Sequence, residues 1–155
     1  MHYLSCELTK IGIDLQEARF IPDNAAKIID DVRCLSSKYD YVFTSGGIGP
    51  THDDITADCI AAAFETEISI REDAFKLLEN YYSEQNIDFN SARQRMARIP
   101  NGAKLIDNPI SVAPGFYLNN VFVMAGVPNI FQSMVQSILP LLSLIHISEP
   151  TRPPE

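Results

Sequence analysis

The 155-residue sequence has no apolar run near the roughly 20 residues that a membrane-spanning helix needs, and Met1 is not followed by a basic segment and an apolar signal core. Those absences set a cytoplasmic protein without membrane contact as the expectation. Cysteine is scarce: Cys6, Cys34 and Cys59 are far apart, odd in number and never arranged as CxxC. That argues against a zinc site or a disulfide framework and for reduced, mostly buried thiols. Positive charge is also short, with 12 Lys and Arg against 20 Asp and Glu for a formal charge of -8. Such an excess repels nucleic acid and anionic membrane, so small ligands are the better partners. The chain contains neither GK[ST] nor GxGxxG, which removes the nucleoside-triphosphate loop and the dinucleotide fingerprint.

What is present is a soluble globular composition, 46% hydrophobic and 21% charged, in a length that suits one domain of about 100 to 150 residues. Leu4 and Leu8 give a helical spacing from the first residues. Segment DLQEARFIPD suits a short strand, and Pro22-Asp23-Asn24 opens a helix with Ala25, Ile28, Ile29 and Val32 on one face, ending at Tyr39. Tyr41, Val42 and Phe43 form the continuous apolar run of a strand buried on both faces. Ala57, Ile60, Ala61 and Phe64 then repeat at helical spacing. A helix is expected over Arg71 to Tyr82, and a short one carrying Ala92, Met96 and Ile99. GFYLNNVFVM reads as a hairpin about Asn119-Asn120, and a last helix starts at Pro128 and closes at Pro140. The order predicts an α/β domain of three layers, with a mostly parallel sheet, helices on both faces and an antiparallel edge hairpin. The tail SLIHISEPTRPPE shows neither helical nor strand period and resembles the translated read-through of a sequencing adapter. The domain is therefore expected over residues 1–142, with 143–155 outside it.

Between the buried strand and the following helix lies TSGGIGPTHDDIT, Thr44 to Thr56. Ligands of open α/β sheets sit at the carboxyl ends of strands, where a glycine turn lets backbone N–H groups converge on an anion. Gly46, Gly47 and Gly49 can supply that nest, the helix after Thr56 its positive end, and Thr44, Ser45 and Thr51 hydroxyl donors. Glycines alone serve turns as readily. Asp53 and Asp54 can cap the next helix, yet two carboxylates beside a phosphate repel it unless a divalent metal or a ligand hydroxyl engages one. Asp23 is equally a cap of PDN or a ligand contact. His52 fits a solvated loop residue. Arg93, Arg95 and Arg98 fit a solvated helix face, from which one could reach a phosphate.

The loop resembles the signature of the molybdopterin-binding domain family, which includes molybdenum-cofactor biosynthesis proteins, the amino-terminal domain of competence/damage-inducible protein A and the corresponding domain of some FAD synthases. DLQEARFIPDN, NSARQRMARIPNGAKLIDNP, APGF and VFVMAGVPNI accompany it in order, and the His-Asp-Asp form is closest to the competence-protein branch. The resemblance implies that Asp54 and Asp23 line the site, catalytically where the domain is an enzyme, that Asp53 lies beside it, and that the glycine turn holds a phosphate. It also implies that the loop of Ala113, Pro114, Gly115 and Phe116 and the turn of Gly126, Val127 and Pro128 border it. Two activities follow from it: binding of molybdopterin or its adenylate, or cleavage of ADP-ribose-like pyrophosphates with a divalent metal such as magnesium on Asp54. It further implies a homo-oligomeric parent, and a strand with a Gly-Asp-Glu segment ahead of the first helix, where this chain begins inside that helix.

Overall fold

A computed structural model describes residues 1–148, with side chains described as far as residue 145. The expected tail is split by that limit: residues 143–148 continue the last helix, and 149–155 lie outside the described residues.

A four-stranded sheet is sandwiched between helices. Its order is β1 (Val42–Ser45), β6 (Val121–Met124), β5 (Gly115–Leu118) and β4 (Lys104–Ile106). β1 runs parallel to β6, pairing Val42 with Val121 and Ser45 with Met124, whereas β5 is antiparallel to both β6 and β4. Side chains alternate across a strand, and β6 shows what this achieves. Val121 and Val123 join Ile28 and Val32 of α2 (Ala25–Lys38) and Cys59 and Ile60 of α3 (Thr56–Ala63) in one core. Phe122 and Met124 point the other way, into a second core with Leu4 and Leu8 of α1 (His2–Lys10) and Met134, Val135 and Leu142 of α6 (Pro128–Ser148). The three α/β layers are thus two helix pairs on opposite faces of one sheet.

The local signals act largely as their chemistry requires. Asn24, not Asp23, caps α2, its side chain accepting from the Lys27 amide at 3.1 Å. In the two-residue hairpin loop, Asn119 takes a positive φ of 53°. Its neighbour Asn120 instead uses its side chain, donating from Nδ2 to the Ser36 and Tyr39 carbonyls at 2.9 and 3.0 Å and accepting from Ser36 Oγ at 2.6 Å. That ties the hairpin to the C-terminal end of α2.

Four sequence expectations change. Residues 14–22 form no strand: β1 is the sheet's edge, and a cavity separates it from this segment, which therefore has no ladder partner. The short helix expected around Met96 is a single turn, α5 (Ser91–Gln94), followed by a 3-10 turn (Arg95–Ala97). Ile99 belongs to β3 (Arg98–Pro100), which pairs with β2 (Ile68–Ile70) ahead of α4 (Glu72–Glu84). Pro140 lies inside α6 instead of ending it. Of the free thiols only Cys59 is buried; Cys6 and Cys34 face solvent.

Candidate functional site

The loop after β1 is built against two neighbours. Gly46 donates its N–H to the Met124 carbonyl at 2.9 Å, extending the β1–β6 ladder one step, and Thr56 donates its N–H to the Gly47 carbonyl at 3.0 Å. Gly47 has φ +75°, and a Cβ there would lie 1.9 Å from Thr56 Oγ1. Only glycine permits that contact. The second glycine turn abuts the first: a Cβ on Gly126 would sit 3.1 Å from the Gly46 Cα. β1 and β6, being parallel neighbours, thus deliver two turns to the same end of the sheet, where α/β proteins bind ligands.

The side chains predicted to serve one site divide between two concavities. A cavity of about 890 Å³ runs along the free edge of β1, and Thr44, Ser45, Gly46, Gly47, Gly126 and Pro128 border it at the loop end. Asp23 also reaches that cavity, as an exposed side chain. Thr44 lines the cavity, and its Oγ1 is buried without a hydrogen-bond partner among the described residues. On the other side of the loop, a depression of about 20 Å³ is lined by Gly49, Asp54 and Pro114 together with Asp58, Arg95 and Arg98. Asp23 and Asp54 therefore do not share a pocket. Asp53 and His52 are exposed. Gly115 is buried in β5, where a Cβ would approach the Val123 carbonyl to 2.4 Å, so packing alone accounts for that glycine.

Neither acid of the His-Asp-Asp run caps α3, whose N-cap position is Ile55 with no side-chain bond. Asp54 turns back into its own loop. Its Oδ2 accepts from the Thr51 amide at 2.9 Å and the Thr51 hydroxyl at 2.8 Å. Burial raises the pKa of this carboxyl, but the Thr51 amide and hydroxyl, the Gly49 amide and the Arg95 charge together outweigh it and hold it below the ordinary 3.8. Asp54 is thus the anion that part of the glycine loop already holds. Composition could not reveal this, though Thr-x-x-Asp is the spacing at which a side chain closes such a turn.

A divalent cation takes several oxygen ligands. Among the described residues no group of three or more His, Cys, Asp or Glu side chains could hold a metal ion. Asp54 Oδ2 is already engaged by Thr51, and Asp54 alone does not make a protein-built metal centre.

A parallel strand pair carrying two glycine turns at its carboxyl end, with helices on both faces, defines an α/β domain with both turns at the end of the sheet where such folds commonly take ligands. The chain belongs to the family described as probable molybdopterin binding domain, whose family model matches residues 1–144. A relative from Archaeoglobus fulgidus is 32% identical over 137 residues, 88% of this chain and 58% of that one. The crystal structure of the protein CinA from Thermoplasma acidophilum, described there as of unknown function, superposes with a TM-score of 0.82 at 26% identity, covering 91% of this chain and 85% of that one. A molybdopterin biosynthesis protein from Mycobacterium abscessus shares the fold at 11% identity and a TM-score of 0.53, with 92% and 78% covered. The competence-protein resemblance read from the loop is borne out by the CinA match. The chain spans about half the length of the first curated relatives it matches, and no described helix is long and apolar enough to cross a membrane.

Proposed function

We propose that this domain binds the phosphate end of a pterin or nucleotide at the turn of Gly46 and Gly47, with the body of the ligand extending into the cavity beside β1. The observation that carries the reading is Thr44 Oγ1, a buried hydroxyl at the loop end of the cavity with no partner among the described residues. Leaving such a group unsatisfied costs about 1–3 kcal/mol, and a ligand oxygen placed there removes that cost. The N-terminal end of α3, without a side-chain cap, adds a positive field to the same region. Because Gly46, Gly49 and Thr51 amides are turned to Met124 or Asp54, the ligand would meet the loop from the Thr44 and Gly47 side. Molybdopterin fits this role through the family to which the chain belongs.

Isothermal titration with molybdopterin and with ADP-ribose tests the proposal. Thr44→Val, which keeps the shape and deletes the hydroxyl, is expected to weaken binding about tenfold, the loss of one hydrogen bond to a charged group. Absence of saturable binding of either compound to the wild-type chain would remove the proposal. A second reading, hydrolysis of ADP-ribose-like pyrophosphates, draws on Asp54 being held as a carboxylate beside the loop. Release of AMP from ADP-ribose with added magnesium separates it from binding alone.

A further inference from the structure

The three arginines between Arg93 and Arg98 have different fates. Arg93 donates through Nη1 to the Asp88 carbonyl at 2.6 Å and lies over the Tyr82 ring, 5.3 Å from its centroid. Arg98 grips Asp58 with both terminal nitrogens, at 3.0 and 2.7 Å. The Arg95 side chain makes no hydrogen bond or ion pair with any described residue, and its Nε is buried without a partner. It sits in the 3-10 turn Arg95–Ala97 and lines the small depression with Gly49, Asp54 and Pro114.

A guanidinium cannot lose its charge, and its planar fork presents five donors. Burying one of them without an acceptor is unfavourable unless something completes it. Asp54 does not do so: its Oδ2 is occupied by Thr51, and Arg95 reaches it only through its field, the last of the influences that lower the Asp54 carboxyl. The neighbouring Arg98 and Asp58 neutralise one another. What remains in the depression is one cation without a direct partner, at the edge of a loop that belongs to a phosphate-binding reading.

We infer that Arg95 contacts the ligand directly, donating to a phosphoryl oxygen at the Gly49 edge of the loop. This rests on the proposed phosphate binding at Gly46 and Gly47 and adds a second contact to it. The depression of about 20 Å³ admits a water-sized group, which suits one phosphoryl oxygen and not a whole ligand.

The probes are ADP-ribose, which carries the diphosphate, and adenosine, which lacks it, titrated into the wild-type chain and into Arg95→Gln, Arg95→Lys and Arg93→Gln. Arg95→Gln is expected to weaken ADP-ribose binding tenfold or more, as loss of a charge-assisted hydrogen bond should. Arg95→Lys should lose less, Arg93→Gln less than twofold, and adenosine binding should be the same in all four chains, which a merely structural role for Arg95 would not leave intact. A measurement on the unaltered protein accompanies these: phenylglyoxal modification of Arg95, read by peptide mass spectrometry, should slow when ADP-ribose is present, and it decides the matter if the variants do not fold. Wild-type binding matched by Arg95→Gln, or modification indifferent to ADP-ribose, overturns the Arg95 contact and leaves the loop reading standing. A wild-type chain that binds molybdopterin but no ADP-ribose overturns the Arg95 contact alone, and one that binds neither overturns both.

Discussion

Replacing Gly47 by alanine tests whether one contact dictates the loop's shape. The backbone there has φ +75°, and an L-residue in the left-handed region costs about 1–2 kcal/mol. The new Cβ would also lie 1.9 Å from Thr56 Oγ1 and 2.9 Å from Thr56 Cβ, so α3's first residue or the loop itself must move. Overpacking of this kind adds roughly 1–3 kcal/mol, so the expected loss for Gly47→Ala is about 3 kcal/mol, read from the midpoint of urea unfolding at constant slope. The mechanism is separable from its magnitude. In a Thr56→Gly background both close atoms are gone, and the next nearest, the Thr56 amide nitrogen at 3.4 Å, is at the limit of ordinary contact. Gly47→Ala should then cost only the backbone share, leaving a coupling of about 1–2 kcal/mol between the two substitutions. A cost equal in both backgrounds, within about 0.3 kcal/mol, would refute the claim that Thr56 is what demands a glycine.

Two further outcomes follow from side chains that close local structure. Asp54→Ala should lower stability at neutral pH by about 1 kcal/mol, a modest figure because Thr51 is exposed and its bonds are solvent-screened. Since the folded carboxyl is held below its unfolded value near 4, its contribution is complete above that value and disappears as pH falls through the folded one. The stability difference between wild type and Asp54→Ala should therefore shrink progressively as pH falls from about 4, and a difference that stays constant through acid would dissociate the effect from the charge. Asn120→Ala removes three hydrogen bonds linking the hairpin to the end of α2 and should cost about 2 kcal/mol by urea unfolding; a loss under about 0.5 kcal/mol would mean that solvent serves Ser36 and Tyr39 equally well.

The parts of the fold legible in the sequence are those whose determinants are local. Tyr41 to Phe43 followed by glycines and the Ala57, Ile60, Ala61 period marked a strand, loop and helix, and Asn119 marked the hairpin, because each needs only a few neighbouring residues to be recognisable. Strands of three residues such as Ile68–Ile70 and Lys104–Ile106 carry too few alternations to show a period, and they exist only through partners 28 to 32 residues away or across a turn. Pro140 shows the reverse failure, a strong local stop overridden by Ile138 and Leu142, which are buried on either side of it. At the site, the family resemblance distinguished Asp54 from Asp53 but could not show where the loop's amides point. The three-dimensional answer alters the chemistry: with the Gly49 and Thr51 amides turned to Asp54 and the Gly46 amide to Met124, the loop is already an anion cradle filled by its own carboxylate on one side. A phosphate approaching that side would have to displace Asp54 or rely on a cation to offset its charge, whereas the side bearing Thr44 and Gly47 presents a buried hydroxyl with no described partner and no carboxylate holding the turn. The same glycines that advertise one phosphate site thus create two unequal faces, and the position of Thr44 relative to Asp54 decides which of them a phosphate can enter first.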